Sequence, residues 1–161
     1  MHHQGNPVIV ILSGPIQSGK SSALLKWIEG KSVAGFITPI LSGRKVMVNV
    51  LTAEVFVYEL CEPKKGGVRV GNYYLCENAF DKAYDILQKA FASRKGWVVI
   101  DEIGKLELKG QGHHKALSVL FNGSENNMLL VIRESLLTEV IEKYKIKASA
   151  IITTSELNNY Y

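Results

Sequence analysis

One short stretch of the chain combines the residue types that bind phosphate groups. Residues 14–21 read Gly-Pro-Ile-Gln-Ser-Gly-Lys-Ser, which fits the Walker A pattern G-x-x-x-x-G-K-[ST] at every fixed position. Gly14 and Gly19 let the backbone turn tightly, so that main-chain N–H groups converge on phosphate oxygens. We expect Lys20 to reach the β- and γ-phosphates and the hydroxyl of Ser21 to bind Mg²⁺. The stretch therefore predicts a nucleotide-binding loop.

The segments on either side of this loop support that interpretation. Residues 8–12 are continuously aliphatic, which is typical of a strand buried on both faces of a parallel sheet. Residues 20–30 read as a helix, whose positive dipole end would face the phosphates. The predicted nucleotide- and phosphate-binding residues are Gly14, Pro15, Ile16, Gln17, Ser18, Gly19, Lys20, Ser21 and Ser22.

A second apolar run ends in two acidic residues. Residues 97–102 read Trp-Val-Val-Ile-Asp-Glu, a buried strand that runs into carboxylates. We expect Asp101, together with Ser21, to hold Mg²⁺, since an aspartate at this place in P-loop enzymes binds the ion. Glu102 follows directly and could orient and deprotonate a water molecule opposite the γ-phosphate. The product would then be free phosphate.

A third apolar run contributes a cation. Arg133 ends the strand-like stretch 128–133, so it is expected at the same edge of the sheet as the acidic residues. Together with Lys20, it could stabilise the charge on a transferred phosphoryl group. A structural ion pair with Glu134, or an interaction with a helix end, is the alternative role for Arg133.

Strands and helices alternate through most of the chain, which predicts an α/β fold with a parallel sheet covered by helices on both faces. Residues 33–76 interrupt the alternation with short β-rich runs, which we interpret as one strand followed by a small antiparallel excursion. Asn78 is expected to cap the next helix and Ser135 to cap the last one. Ligands in such sheets bind at the carboxyl ends of the strands.

Length and composition restrict the class of protein. The 161 residues fit one domain, 1–161, and 47% of them are hydrophobic. The net charge is +4, but the basic residues are scattered and only four are arginines, which disfavours a nucleic-acid partner. No apolar stretch reaches the ~20 residues of a membrane span, and no signal peptide is evident. We expect a cytoplasmic protein without a membrane partner, and the oligomeric state stays open.

The remaining candidate residues receive structural interpretations. His113 and His114 begin a predicted helix without further metal-ligand residues nearby, so a solvated face is expected there. Trp27 and Trp97 lie in apolar patterns and are expected in the core.

The octapeptide Asp-Glu-Ile-Gly-Lys-Leu-Glu-Leu at 101–108 resembles the DEIGKMEL signature of the THEP-type nucleoside-triphosphatases. The stretch Gly35–Thr38 resembles the Gly-Phe-x-Thr strand of the same family, and the order of elements agrees over most of the chain. The chain departs from the family pattern after Thr38, where it reads Pro-Ile-Leu-Ser instead of a glutamate and an arginine. It also lacks the Asn-Arg pair near the C-terminus, which predicts a divergent member.

This resemblance implies a P-loop NTPase fold of the RecA/AAA-like type, with an extra strand between the phosphate-loop strand and the DEIG strand. It implies Mg²⁺-dependent hydrolysis of ATP, GTP and other nucleoside triphosphates. By matching position, Lys20 and Ser21 take the phosphate-loop roles, Asp101 the metal role and Glu102 the water-activating role.

Two other functions remain open at this point. One is a small-molecule or nucleotide kinase, which would pass the γ-phosphoryl group to an acceptor hydroxyl. The other is a nucleotide-binding switch or adaptor with little turnover. A base-specific GTPase is disfavoured, because the guanine-reading motif Asn/Thr-Lys-x-Asp does not occur in the sequence.

Overall fold

The computed structural model describes residues 5–15, 19–60, 66–93, 96–121 and 124–160. The strands are β1 (Ile9–Gly14), β2 (Val33–Ile37), β3 (Ile40–Leu41), β4 (Arg44–Asn49), β5 (Val55–Val57), β6 (Gly67–Val70), β7 (Tyr73–Cys76), β8 (Trp97–Ile103), β9 (Asn127–Arg133) and β10 (Ala150–Ile152). The helices are α1 (Lys20–Trp27), α2 (Glu77–Ser93), α3 (Lys105–Leu108), α4 (His114–Leu120) and α5 (Leu137–Tyr144). Two 3₁₀ helices cover Glu134–Leu136 and Thr154–Asn159.

The main sheet has the strand order β10-β1-β9-β8-β2-β4-β3, and β5 pairs with β4. The first five strands in this order are parallel, while β3, β4 and β5 pair antiparallel. Strands β6 and β7 form a separate antiparallel hairpin. This arrangement confirms the predicted α/β P-loop fold with an antiparallel excursion. It also confirms an extra strand, β9, between the phosphate-loop strand β1 and the DEIG strand β8.

The central strands supply side chains to two cores, one on each face of the sheet. Ile11 and Ile100 belong to one cluster, which α2, α4 and α5 cover, whereas Leu12 and Val99 belong to the other, which α1 covers. Alternating residues of a strand point to opposite faces, so a strand buried on both faces must be apolar throughout. Trp27 and Trp97 pack edge-to-face in the second cluster at 5.8 Å between ring centroids, as predicted for core residues.

Gly35 in the middle of β2 allows this strand to lie close to β8. Its φ is +102°, and a Cβ atom at this position would lie 2.1 Å from the carbonyl oxygen of Val99. Only glycine fits both the backbone conformation and the available space. The following residues of β2 then reach the carboxyl edge of the sheet beside the acidic end of β8.

Two predicted helix starts are wrong. Helix α2 begins at Glu77, so Asn78 lies inside its first turn and does not cap it. Ser135 lies within the 3₁₀ helix Glu134–Leu136, which precedes α5 and makes Leu136 the residue before that helix. The chain leaves β9 in this short 3₁₀ turn, and no side-chain cap is formed at the 3₁₀ helix or at α5.

The described residues include no helix that is both long and apolar enough to cross a membrane.

Candidate active site

The phosphate loop connects β1 to α1 at the carboxyl edge of the sheet. Gly19 precedes the helix with a left-handed φ of +78°, and α1 begins at Lys20. The ammonium group of Lys20 donates hydrogen bonds to the carbonyl oxygens of Pro15 at 2.6 Å and Gly14 at 3.3 Å. The predicted loop residues Ile16, Gln17 and Ser18 lie outside the described residues. The described residues therefore place a strand directly before the motif and a helix at its lysine, as the motif requires.

A cleft of about 520 Å³ opens at this edge of the sheet. It is lined by Gly19, Lys20, Ser21 and Ser22 from the loop and helix, by Glu102 from β8 and by Arg133 from β9. Arg133 is the register partner of Gly14, so it lies between the phosphate loop and the end of β8. Residues from three separate parts of the sequence thus share one cavity of a size that suits a small ligand.

The cationic side of the cleft favours an anion. Burial lowers the pKa of Lys20, and the neighbouring Arg133 lowers it further, while Asp101 and Glu102 act in the opposite direction. The charged form of a desolvated ammonium group beside a guanidinium group is stabilised when negative charge is placed near both cations. The two cations therefore suit a phosphate chain better than a neutral ligand.

Asp101 is almost completely buried, with 1% of its surface exposed, and Thr38 holds its carboxylate. The main-chain N–H and the hydroxyl of Thr38 donate hydrogen bonds to Oδ2 of Asp101 at 2.8 and 3.1 Å. Burial raises the pKa of Asp101 to about 6, and the nearby carboxylate of Glu102 contributes, whereas Thr38 and Lys45 oppose the shift. A carboxylate in these surroundings would be stabilised by a bound cation.

Glu102 lies in a bulge at the end of β8. Ile100 pairs with Leu130 and Ile103 with Ile132, so β8 uses one residue more than β9 over this interval. Glu102 has a left-handed φ of +62°, which is uncommon for a residue other than glycine and occurs frequently at functional sites. Bulges of this kind redirect side chains next to active sites. The bulge allows Glu102 to line the cleft although the adjacent Asp101 is buried.

The carboxylate of Glu102 forms an ion pair with Lys45 of β4. The Lys45 ammonium group also lies 4.9 Å from the ring centroid of Tyr73 on β7. Lys45 is mostly buried, with 15% of its side chain exposed, against 34% for Glu102. Lys45 therefore adds a further cation to the cleft, beside Lys20, Lys105 and Arg133, and holds the Glu102 carboxylate in position.

Hydrogen bonds to a buried glutamate hold the loop after Glu102 in place. Glu107 of α3 accepts hydrogen bonds from the N–H of Gly104 at 2.7 Å and from the N–H of His113 at 3.3 Å. Burial raises the pKa of Glu107 to about 7, and Glu102 contributes to the increase. These two bonds connect the end of β8 to the start of α4, and they set the shape of the loop that lines the cleft.

The expectation of a solvated face at the two histidines is wrong for His113. The residue is 2% exposed, and its ring lies between Phe36 and Phe80, with ring centroids 4.6 and 5.0 Å away. Burial lowers the pKa of His113 to about 3, so the ring is neutral. His114 is half-buried, and its Nδ1 lies 2.7 Å from the hydroxyl oxygen of Tyr144. The two side chains pack against residues that are distant in sequence, which a local pattern does not reveal.

Three residues at the site carried no predicted role. Thr38 belongs to the Gly-Phe-x-Thr stretch, and this motif was the signal that could have indicated its contact with Asp101. Glu107 lies within the octapeptide, so the motif pointed to this position. The motif did not indicate that its carboxylate accepts hydrogen bonds from two main-chain N–H groups. Lys45 has no local signal, because its contact with Glu102 depends on the antiparallel excursion. Among the described residues, no three His, Cys, Asp or Glu side chains group into a metal site of their own.

Comparison with known proteins agrees with this geometry. The family model described as NTPase matches residues 9–159. The chain belongs to this NTPase family. The THEP-type resemblance of the octapeptide is thereby confirmed, and membership supports hydrolysis of nucleoside triphosphates as the general activity. No curated protein sequence matches the chain.

Two solved structures are similar to this NTPase over nearly its whole length. THEP1 from the hyperthermophile Aquifex aeolicus is 21% identical with a TM-score of 0.76, covering 94% of this chain and 96% of that one. A human cancer-related nucleoside triphosphatase is 26% identical with a TM-score of 0.66, covering 96% of this chain and 93% of that one. The first likeness establishes the fold, and both agree with the family assignment.

Proposed function

We propose that this protein hydrolyses nucleoside triphosphates to diphosphate and phosphate, with Mg²⁺ as its cofactor. The observation that supports this most is that Lys20, Arg133 and Glu102 line one cleft, with the buried carboxylate of Asp101 beside Glu102. Two cations and a helix start favour the phosphates, and a carboxylate faces the same space. Each of these groups has a role in phosphoryl transfer to water.

Lys20 and the N-terminus of α1 would bind the β- and γ-phosphates, and Arg133 would contact the γ-phosphate from β9. Glu102 would accept a proton from a water molecule as the water oxygen bonds to the γ-phosphorus. The bond between that phosphorus and the bridging oxygen then breaks, and the diphosphate leaves. Lys45 would keep the Glu102 carboxylate in position and offset the negative charge that the site accumulates.

The side chains present fit a magnesium ion that shares its coordination with phosphate. Ser21 presents its hydroxyl at the cleft, and Asp101 supplies a carboxylate whose burial leaves it in need of positive charge. Mg²⁺ in such sites uses one or two protein oxygens, and water and substrate phosphates complete its shell. Bound there, the ion would neutralise charge on the transferred phosphoryl group. The absence of a larger acidic cluster among the described residues agrees with this sharing.

We propose that the base of the nucleotide is recognised weakly, so that ATP and GTP are both substrates. The side chains discussed above act on phosphate and metal, and none of them reads a base. This proposal gives the nucleoside triphosphate as the binding partner and needs neither nucleic acid nor a membrane.

A phosphate-release assay tests the function directly. The purified protein is incubated with Mg²⁺ and ATP, GTP, CTP or UTP in turn, and free phosphate is measured over time. We expect release from all four at rates within about tenfold of one another, and loss of release in excess EDTA. Lys20→Ala serves as the control for contaminating phosphatases. No release from any nucleotide, or equal release from Lys20→Ala, would contradict the proposal.

A further inference from the structure

The cleft continues past Glu102, away from the phosphate loop. In the order β1-β9-β8-β2-β4, the loop follows β1, Glu102 ends β8 and Lys45 lies on β4 at the far side. We name this part of the cleft the far chamber, and define it by Lys45, Tyr58, Val70, Tyr73, Leu75 and Phe80. It is formed where the β6–β7 hairpin and the start of α2 meet β4 and the residue that follows β5.

The far chamber cannot hold the nucleoside if the proposed function is right. The γ-phosphate then faces Glu102, so the ribose and base lie at the opposite end of the triphosphate. The chamber begins on the Glu102 side and extends further from Lys20. Hydrolysis needs room for a single water molecule beside the γ-phosphate, whereas the chamber adds a volume bounded by three aromatic rings. The chamber is therefore not explained by hydrolysis.

The walls of the chamber are apolar, and its entrance from the phosphate side is charged. Tyr58 is 2% exposed and packs edge-to-face on Phe80, with 5.8 Å between ring centroids. Leu75 is buried beside them, and Tyr73 lies under the ammonium group of Lys45. An apolar pocket with a small number of fixed polar groups at one end is the usual form of a site for a small organic molecule. The polar end here is the Lys45–Glu102 pair.

We propose that the far chamber binds a small alcohol with a one-ring aromatic body, and that its hydroxyl accepts the γ-phosphoryl group in place of water. The ring would pack among Tyr58, Tyr73 and Phe80, and the hydroxyl would lie beside Glu102. The hydroxyl oxygen bonds to the γ-phosphorus, its proton passes to Glu102, and the bond from that phosphorus to the bridging oxygen breaks. The products are a phosphate monoester and a nucleoside diphosphate. This inference rests on the proposed function, because both use the same loop, metal and base.

The test compares two tryptophan substitutions on one hairpin strand. Val70→Trp fills the chamber from β6, because Val70 is half-buried and lines it. Arg69→Trp is the matched control, since neighbouring residues of a strand point to opposite faces and Arg69 is exposed. Benzyl alcohol, pyridin-3-ylmethanol and uridine serve as acceptors, with benzyl methyl ether as the compound that lacks a free hydroxyl. Transfer of labelled γ-phosphate to acceptor and release of free phosphate are measured in the same reaction.

We expect at least one alcohol to be phosphorylated, and the ratio of transferred to released phosphate to fall at least tenfold in Val70→Trp. Arg69→Trp should keep the wild-type ratio, and the methyl ether should yield no ester. Phosphate release without transfer to any of the alcohols would overturn the acceptor site and leave the hydrolase proposal standing. Equal ratios in the two variants would also overturn it. If neither release nor transfer occurs, the proposed function itself fails, and the acceptor site fails with it.

Discussion

The ammonium group of Lys45 and the carboxylate of Glu102 form an ion pair although 57 positions separate them in the sequence. The pair connects β4 to the end of β8, beside the buried carboxylate of Asp101. Lys45 also opposes the rise in the pKa of Asp101. Its positive charge therefore affects both carboxylates that the proposed mechanism uses.

Lys45→Met should lower turnover by about 10- to 100-fold, because a cation near the transferred phosphoryl group is lost and Glu102 is no longer held. Lys45→Arg retains the charge and should keep most of the activity. Phosphate release at saturating nucleotide measures the effect, with Lys89→Met on the exposed face of α2 as the control. Unchanged turnover in Lys45→Met would show that the ion pair has no part in the reaction.

Arg133 should distinguish triphosphate from diphosphate. It lies between the phosphate loop and Glu102, where the γ-phosphate is expected, so Arg133→Gln should weaken triphosphate binding by about 10- to 100-fold and leave diphosphate binding nearly unchanged. Lys20→Ala should weaken the binding of both nucleotides. Titration calorimetry with a non-hydrolysable triphosphate and with the diphosphate measures the difference. Equal losses for the two nucleotides in Arg133→Gln would place this side chain elsewhere on the ligand.

Asp101→Asn should make the metal-free protein more stable at neutral pH while it lowers turnover. The pKa of the Asp101 carboxyl is raised to about 6 in the folded protein, so the folded protein binds this proton more tightly than the unfolded chain does. Ionisation of Asp101 therefore lowers the free energy of unfolding. The cost begins as the pH rises above about 4 and is complete above about 6, where it is on the order of 3 kcal/mol. Asparagine avoids it and keeps an oxygen that can accept the bonds from Thr38.

Urea denaturation in EDTA without nucleotide measures this effect at pH 4 and at pH 7. The free energy of unfolding of Asp101→Asn should exceed that of the wild type by more at pH 7 than at pH 4. Asp85→Asn on the exposed face of α2 is the control and should show no such growth. A constant difference between Asp101→Asn and the wild type would mean that the burial of Asp101 does not penalise its charge.

Gly112 has no side chain, and the carboxylate of Glu107 occupies the space where a Cβ atom would lie. Its φ is +61°, and a Cβ atom there would lie 2.2 Å from Oε2 of Glu107. Gly71 has a similar φ of +58° with nothing within 4 Å, so it is a matched control. Gly71→Ala should cost about 1 kcal/mol of unfolding free energy from backbone strain alone. Gly112→Ala should cost at least about 2 kcal/mol more, because it disturbs a buried carboxylate and its two N–H donors. Equal losses would show that the glutamate can move aside.

The parts of the fold that local sequence determines were predictable. The strand–loop–helix unit around Lys20 and the apolar run before Asp101 follow from residue types within about ten positions. Their meeting at one sheet edge follows from the parallel α/β pattern. The helix starts at Asn78 and Ser135 were predicted wrongly. Both residues are of types that favour helix caps, but each lies inside a helical turn that begins one residue earlier.

The contacts that complete the site were not predictable from local sequence. Thr38 lies 63 positions from Asp101, and it reaches the carboxylate only because Gly35 lets β2 lie against β8. The bulge at Glu102 depends on the register between β8 and β9, which no single segment determines. His113 is buried by Phe36 and Phe80 from two other elements, so its local polar pattern was misleading.

Glu102→Gln is the measurement that tests the central claim most directly. The substitution keeps the size of the side chain and removes its ability to accept the proton from water. Turnover of ATP with Mg²⁺ should fall by about 10²- to 10⁴-fold, while the affinity for a non-hydrolysable triphosphate should stay within about threefold of the wild-type value. Turnover that persists in Glu102→Gln at the wild-type rate would contradict the assignment of Glu102 as the base.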